Sequence, residues 1–295
     1  MVNASYSSPI SENVRAVDRP IPSRLSKYID VFLENARIAK EQDDERYLLY
    51  RGQSDFTYSL IPSVFREGRL PNEHRVIEDL LFSSPLEFSG INSSIERLIK
   101  MQHYGLPTRL LDVTLNPLVA LYFACNEKSH ADTDGEVVVF YDYMKRTTDQ
   151  EAIIMGILAE YYGSEERQMM EFLGKHGLSN WLSINGLRTF LETASYIPIL
   201  APQNNERIKR QHGAFIIAGI FGGGGNAYQK AVFDLRPFLD KSSGDGILHR
   251  IVVPHQDKAE LLEELKVLGI NEAFLFPELE HQAMYIRSQY DAREP

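Results

Sequence analysis

The chain has 295 residues, of which 43% are hydrophobic and 24% are charged, so it is long enough and apolar enough to bury a substantial core. Its 41 acidic residues outnumber its 31 basic ones, and the net charge of −10 argues against a surface that simply coats nucleic acid. A single cysteine, Cys125, excludes an intrachain disulfide and any site built from several cysteines, and the eight scattered histidines favour no metal site.

The chain is predicted to begin with a polar arm followed by a helix. Residues 1–22 are rich in Ser, Asn and Pro and lack the apolar core of a secretory signal. No apolar run approaches the ~20 residues that span a bilayer, so we expect a cytoplasmic protein that does not enter membranes. From residue 23 onwards, apolar residues at helical spacing predict a helix that buries Leu25, Phe32 and Leu33.

Two short strands and an apolar helix are predicted next. The segment YLLYRGQSD predicts a strand that carries Arg51 to its tip, with Gly52 permitting a sharp departure. RLLDV predicts a second strand. The apolar helix then begins at Asn116-Pro117, because Pro suits the first helical position and either Asn116 or Thr114 can cap it.

The second half of the chain mixes predicted strands and helices at uneven spacing. GEVVVFYDY predicts the clearest strand, residues 145–200 are mainly helical, and IPILAP, GAFIIAGIF and ILHRIVVP predict further strands. KAELLEELKVLG predicts a helix that ends at Gly269, and AFLFPELEHQAMYIR predicts a strand leading into a last short helix. GGGG at residues 222–225 lacks the Lys-Ser/Thr of a phosphate-binding loop and is interpreted as a surface loop. This uneven order favours an α+β fold.

Charged residues beside the apolar strands are candidates for chemistry. Arg51 directs its guanidinium toward a strand end, where anions are often bound; the alternative is a brace to an acid such as Asp55 or Asp112. Arg109 and Asp112 are three apart, so they lie on opposite faces of an extended strand and each needs its own partner. We expect Asp112 to stabilise the helix that starts at Asn116 through the helix dipole.

A pair of acids lies near the C-terminus. Glu278 and Glu280 are separated by one residue, so in an extended segment both carboxylates share a face. Such a pair can hold one acid at raised pKa or orient a substrate hydroxyl. The alternative is that both are solvated acids at a helix start.

Several segments together resemble the FRG domain family, which takes its name from a Phe-Arg-Gly tripeptide. In this chain Tyr50-Arg51-Gly52 stands at that tripeptide, with Tyr in place of Phe. The other segments are IPSVFR, HYGLPTRLLDVTLNPLVALYFA, RIKRQHGAFI and LFPELE. The resemblance implies a single FRG-type domain over residues 23–295, with residues 145–200 as a candidate helical insertion, in a family that is mainly bacterial and phage-associated.

A second similarity, in layout, is to the ADP-ribosyltransferases. These enzymes build an NAD site from an Arg or His at the tip of a first strand, a Ser or Thr on a second strand, and a late Glu. Arg51 and Thr114 resemble the first two elements, while Glu278, Glu280 and Gln211 are the candidates for the third. The similarity implies a split sheet, mixed or antiparallel, with surrounding helices, and it implies NAD as the substrate.

The same similarity implies a set of residues that bind NAD. An arginine would hold the pyrophosphate bidentately, a late carboxylate would stabilise the positive charge that develops on ribose, and an aromatic ring would stack on nicotinamide. The candidate binding residues are Arg51, Gly52, His103, Tyr104, Arg109 and Tyr122.

Three functions are therefore open. The first is an NAD-consuming ADP-ribosyltransferase that modifies a protein or nucleic acid as a toxin or phage-defence effector, with an antitoxin as a candidate partner. The second is a non-catalytic module that binds a nucleotide or nucleic acid through its phosphates. The third is a structural module in which the charged residues form a buried brace. Loss of Arg51 should lower the melting temperature only in the third case, because only there is an acid left unpaired.

Overall fold

The computed structural model describes residues 23–163, 165–178, 183–193, 196–219 and 249–290. The polar arm predicted at residues 1–22 and the glycine run at residues 222–225 lie outside these ranges. Within them, no helix is both long enough and apolar enough to cross a bilayer.

The described residues form helices and strands that alternate irregularly along the chain. The helices are α1 (Arg24–Gln42), α2 (Glu73–Ser83), α3 (Ser94–His103), α4 (Pro117–Cys125), α5 (Gln150–Glu160), α6 (Glu166–Lys175), α7 (Ile184–Thr193), α8 (Glu206–Arg210), α9 (His255–Val267), α10 (Glu272–Leu275) and α11 (Leu279–Tyr290). The strands are β1 (Tyr47–Gln53), β2 (Leu110–Thr114), β3 (Gly135–Asp142), β4 (Lys145–Arg146), β5 (Tyr196–Leu200), β6 (Gly213–Ala218) and β7 (His249–Val253).

These strands form one sheet in the order β4-β5-β6-β2-β1-β3-β7. β4 and β5 are parallel, and the other neighbouring pairs are antiparallel. β1 pairs with β3 along all seven of its residues, but it pairs with β2 only where Tyr50 faces Thr114. The predicted α+β class is confirmed, and the sheet is mixed and opens between its two central strands.

Three clusters of buried side chains hold the helices against this sheet. Tyr50 and Val139 pack with α1, α4 and α9 on one face of β1 and β3. Ile217 packs with α2, α3 and α5 beside β5 and β6. Leu49 and Leu111 belong to a cluster with the loop that follows β1, and because Leu49 precedes Tyr50 this cluster covers the opposite face. On the face that carries α4, the helices therefore stand in two groups, one on each side of the opening between β1 and β2.

The glycine of the Tyr-Arg-Gly tripeptide has a packing role. Gly52 lies within β1, and a Cβ atom on it would overlap the carbonyl oxygen of Ala120 and come within 2.7 Å of the nitrogen of Ala124. Its φ angle is not positive, so the predicted sharp turn is wrong. Glycine is required here because α4 packs directly on β1.

Residues 145–200 contribute to both the sheet and the helices. The ends of this segment are strands β4 and β5, which join the main sheet, and its middle consists of α5, α6 and α7. A separate buried cluster, which includes Leu158, Met169 and Leu187, holds these three helices together.

Other local predictions are confirmed or corrected by particular contacts. The side-chain oxygen of Asn116 caps α4 by accepting from the amide of Leu118 at 2.9 Å. In α1, Leu33 is exposed, and Tyr28 takes the buried position instead. The predicted strand at residues 273–276 is wrong, because Asn271 caps the short helix α10 by accepting from the amide of Phe274 at 3.0 Å.

Candidate functional site

A cavity of about 400 Å³ lies where β1 and β2 separate. Its walls come from β1 and the loop after it, the end of α3, β2, α4, α8 and the start of β6. The volume falls within the range of roughly 300–1,000 Å³ that is typical of small-molecule sites. Five predicted site residues line it: Arg51, Gly52, His103, Thr114 and Gln211.

Arg51 lines the cavity two residues before the end of β1, rather than at its tip. Its Nη1 donates to the backbone carbonyl of Asp112 at 2.6 Å, and its buried Nε has no hydrogen-bond partner among the described residues. The pKa of the Arg51 guanidinium is lowered, mainly by burial of its atoms. The Asp112 carboxylate partly opposes this shift, and the Arg66 guanidinium adds to it. Arg51 as a whole is half-buried, and a partly enclosed charge without a paired carboxylate is stabilised by an anionic ligand.

The alternative for Arg51, a brace to the carboxylate of Asp55 or Asp112, is not what the contacts of the described residues show. Asp55 accepts hydrogen bonds from the amide and the hydroxyl of Thr57, at 2.8 and 2.7 Å. Asp112 meets Arg51 through its backbone carbonyl, while its side chain is exposed. The prediction that Asp112 stabilises the start of α4 is also corrected, because Asn116 and Thr114 supply the contacts there.

Two further arginines line the cavity, and sequence reasoning did not single them out. Arg66 donates through Nε and Nη2 to the carbonyl of Ile61, at 3.2 and 2.9 Å. Arg207 lies over the ring of Phe276, with 4.7 Å between the guanidinium carbon and the ring centroid. The segments IPSVFR and RIKRQHGAFI, which contain these residues, carry part of the family resemblance and were the available signal. With Arg51, they make three guanidinium groups from three elements.

Thr114 is nearly buried, and its hydroxyl is engaged within the protein. It donates to the carbonyl of Gln211 at 2.6 Å and accepts from the amide of Asn116 at 3.0 Å. These bonds tie the end of β2 to the turn before β6 and to the start of α4. The side chain therefore fixes the wall of the cavity and is not free to orient a ligand.

Of the three candidates for a late acid or amide, two are close to the cavity. Glu278 accepts from His103 Nε2 at 3.1 Å and lies 3.8 Å from Arg207 Nη1. Burial raises the pKa of Glu278, but its own backbone amide, His103 and Arg207 outweigh burial and lower it, so the group is ionised at neutral pH. Gln211 lines the cavity and donates from Nε2 to the carbonyl of Leu275 at 3.0 Å.

Glu280 does not join this group. α11 begins at Leu279, so Glu278 precedes the helix while Glu280 is exposed in its first turn. Of the two alternatives for this segment, the extended one, in which both carboxylates share a face, is wrong, because a helix begins between them. Glu280 does not line the cavity.

Three predicted binding residues lie outside the cavity. Arg109 is 0% exposed, and its Nε donates to Glu73 at 2.8 Å, so its charge is compensated in the core. Tyr122 is 3% exposed and packs within the cluster around α4, out of reach of a stacking ligand. Tyr104 is 69% exposed and contacts His103 edge-on, beside a different surface pocket.

A second acid lines the cavity without having been predicted. This acid is Glu127, which follows α4 and lines the cavity together with Asp112. Its carboxylate accepts hydrogen bonds from the hydroxyl of Ser54 at 2.7 Å and from the hydroxyl of Ser129 at 3.0 Å. The hydrogen bond from Ser54 lowers the pKa of Glu127, and burial opposes it, so the carboxylate is ionised at neutral pH. The arrangement combines three guanidinium groups with the carboxylates of Asp112 and Glu127. Within the described ranges, no three His, Cys, Asp or Glu side chains are grouped to hold a metal ion.

Comparison with known proteins identifies one part of the chain. The family model of the FRG domain matches residues 46–133, a segment that begins just before β1 and ends just before β3. No curated protein and no solved structure matches the chain. The matched segment contains Arg51, His103, Thr114 and Glu127, while Gln211 lies beyond it. The chain therefore carries an FRG domain, and that domain supplies most of the residues around the cavity.

Proposed function

We propose that the cavity binds NAD and cleaves the bond between nicotinamide and ribose, passing ADP-ribose to a macromolecular acceptor, protein or nucleic acid. The observation that carries this proposal is Arg51, a half-buried side chain that lines the cavity, has a buried Nε without a hydrogen-bond partner, has no carboxylate partner among the described residues and lies near a second arginine. A diphosphate would supply the missing negative charge and accept two parallel hydrogen bonds from the guanidinium.

The carboxylates near the cavity support the cleavage step. Breaking the glycosidic bond develops positive charge on ribose, and a fixed carboxylate stabilises that charge more in the transition state than in the ground state. Glu127 lines the cavity, and Glu278 lies behind His103. We assign the charge-stabilising role to one of these two acids, and a toxin or phage-defence role held in check by an antitoxin belongs to the same proposal.

The test is the release of nicotinamide from NAD, which chromatography of the reaction mixture measures over time. We expect the wild-type chain to release nicotinamide and Arg51→Ala to release none. Glu127→Gln and Glu278→Gln identify the acid, since the one that acts should lower the rate by about 100-fold or more. Glu280→Gln is the matched control, because this exposed glutamate lies in the same C-terminal segment but outside the cavity. An equal rate in wild type and Arg51→Ala would contradict the proposal.

A second candidate function is binding of a nucleotide or nucleic acid without turnover. Two contacts favour it: the Thr114 hydroxyl is engaged by Gln211 and Asn116, and Glu278 is already hydrogen-bonded to His103. Saturable binding of ADP-ribose, with no nicotinamide released from NAD, would support this candidate over the first.

A further inference from the structure

A tyrosine at the cavity wall is hydrogen-bonded to a histidine. Tyr58 lies in the loop after β1, lines the cavity and is 41% exposed. Its hydroxyl is 2.6 Å from Nε2 of His130, and the two rings meet edge-on. On the other side of the imidazole, Nδ1 lies 3.9 Å from Oδ2 of Asp55. The Tyr58 hydroxyl is thus hydrogen-bonded to an imidazole that has two carboxylates at ion-pair distance, Asp55 beside Nδ1 and Glu127 Oε1 at 3.8 Å from Nε2.

The surrounding contacts hold these side chains in place. Lys258 of α9 is 3% exposed and donates to two backbone carbonyls, that of Ser54 at 2.7 Å and that of His130 at 2.8 Å. It therefore ties the loop that carries Tyr58 to the loop that carries His130. The hydrogen bonds from Thr57 lower the pKa of Asp55, so that the carboxylate beside the imidazole is ionised at neutral pH.

We propose that Tyr58 is a catalytic residue that accepts the proton of the attacking nucleophile, with His130 and Asp55 as positioning residues behind it; this inference rests on the NAD cleavage proposed above. The oxygen of water or of an acceptor hydroxyl bonds to the anomeric carbon of ribose. The carbon–nitrogen bond breaks, and nicotinamide leaves as a neutral molecule with the electron pair. The proton of the nucleophile passes to the Tyr58 oxygen as the proton of Tyr58 passes to His130 Nε2.

This step requires the His130 tautomer with its proton on Nδ1, facing Asp55. Asp55, at ion-pair distance from Nδ1, then stabilises the imidazolium by its charge, without the hydrogen bond that joins acid and imidazole in a Ser-His-Asp triad. Glu127 is less suited to take the proton, because its oxygens already accept from Ser54 and Ser129 and its pKa is lowered. Glu127 is therefore suited to stabilising positive charge on ribose, and Tyr58 is suited to removing the proton of the nucleophile.

Kinetics form the first arm of the test. Tyr58→Phe and His130→Gln should each lower kcat for nicotinamide release by about 100-fold, within the usual range for general base catalysis, while the dissociation constant for NAD stays within about threefold. The kcat of the double variant should equal that of the slower single variant, because the two side chains act in the same proton transfer. Tyr143→Phe is the matched control, since Tyr143 is 44% exposed and its hydroxyl also has a hydrogen-bond partner, Asp43. A wild-type kcat in Tyr58→Phe would overturn the inference.

Chemical labelling forms the second arm and does not depend on NAD. An aryl sulfonyl fluoride reacts when a phenol oxygen attacks sulfur, fluoride leaves and a base takes the phenol proton. Peptide mass spectrometry should show faster labelling of Tyr58 than of Tyr143 in the wild type, and loss of this difference in His130→Gln. If the wild type releases no nicotinamide, the proposed cleavage fails, and the labelling still decides whether the pair transfers a proton. Equal rates of labelling of both tyrosines in both proteins would contradict proton transfer from Tyr58 to His130.

Discussion

Two arginines near the centre of the sheet differ in what compensates their charge. Arg109 is enclosed in the core and forms a two-point ion pair with Glu73. Arg51 lines the cavity, and within the described part of the chain its hydrogen-bond partner is the backbone carbonyl of Asp112. Guanidinium groups remain charged at any physiological pH, so Arg51, which forms no ion pair with the carboxylates that the structure describes, is the one suited to an anionic ligand.

The first prediction compares the stability of these two arginine variants. Arg109→Ala leaves Glu73 buried and should destabilise the fold by about 3–5 kcal/mol. Arg51→Ala removes one hydrogen bond but also a half-buried charge without a paired carboxylate, so its free energy of unfolding should change by about 1 kcal/mol or less. Thermal melts of both variants beside the wild type measure the difference. A loss of stability in Arg51→Ala as large as that in Arg109→Ala would make Arg51 a structural brace.

The second prediction concerns the acid beside Arg51. Asp112 is exposed, lines the cavity and caps no helix, so Asp112→Asn should leave the melting temperature unchanged. Its negative charge opposes the binding of phosphate, and its loss should tighten ADP-ribose binding by a few-fold, as expected for a single charge near the surface. Titration calorimetry measures the change. Weaker binding in this variant would place the carboxylate in contact with the ligand.

At the scale of elements, the site depends on how β1 and α4 meet. α4 packs so closely on β1 that Gly52 has no room for a Cβ atom, and β1 leaves β2 after the single pair of Tyr50 with Thr114. The cavity occupies the opening beyond this pair. The glycine of the tripeptide thus positions the helix, and the arginine before it faces the opening.

The third prediction tests this close approach. Gly52→Ala should lower the melting temperature sharply or prevent folding, because the backbone of α4 would have to move away from β1. Gly213→Ala is the matched control, since the nearest atoms to a Cβ at Gly213 lie at 3.5 Å, an ordinary contact distance. A Gly52→Ala protein as stable as the control would show that the packing of α4 tolerates the methyl group.

The sequence allowed the prediction of elements whose signals are local. β1, β2, β3 and α4 have apolar runs or caps within a few residues of their ends, and Asn116-Pro117 marks the start of α4. It did not allow prediction of pairings across long distances. Glu73 is 36 residues from Arg109, so no local pattern shows that the two form a buried ion pair. Arg207 is 97 residues from Leu110 at the start of β2, so no local pattern places it in the wall of the same cavity.

At the scale of the whole molecule, the net charge of −10 does not predict the three guanidinium groups that line the cavity. Net charge sums over the surface, whereas a ligand in a cleft responds to the charges that line it. Carboxylates at the cavity and elsewhere accept hydrogen bonds, which lower the pKa of Asp43, Asp55, Glu127 and Asp134.

The fourth prediction is the pH dependence of stability. A carboxyl whose pKa is lower in the folded state stabilises the fold above its unfolded pKa of about 4, and this contribution is lost as the pH falls through the folded value. The melting temperature should therefore fall steadily as the pH is lowered from about 6 to about 3. Glu278→Gln should show a shallower fall, since it removes one carboxyl with a lowered pKa. A melting temperature that rises on acidification would contradict this assignment.

The central claim is that the opening between β1 and β2 binds the diphosphate of a nucleotide through Arg51, and titration calorimetry with ADP-ribose tests it most directly, since this ligand is not turned over. The wild-type chain should bind one equivalent, and Arg51→Ala should bind about 100-fold more weakly, which corresponds to about 3 kcal/mol. Equal affinity in the two proteins, or no binding by the wild type, would contradict the account.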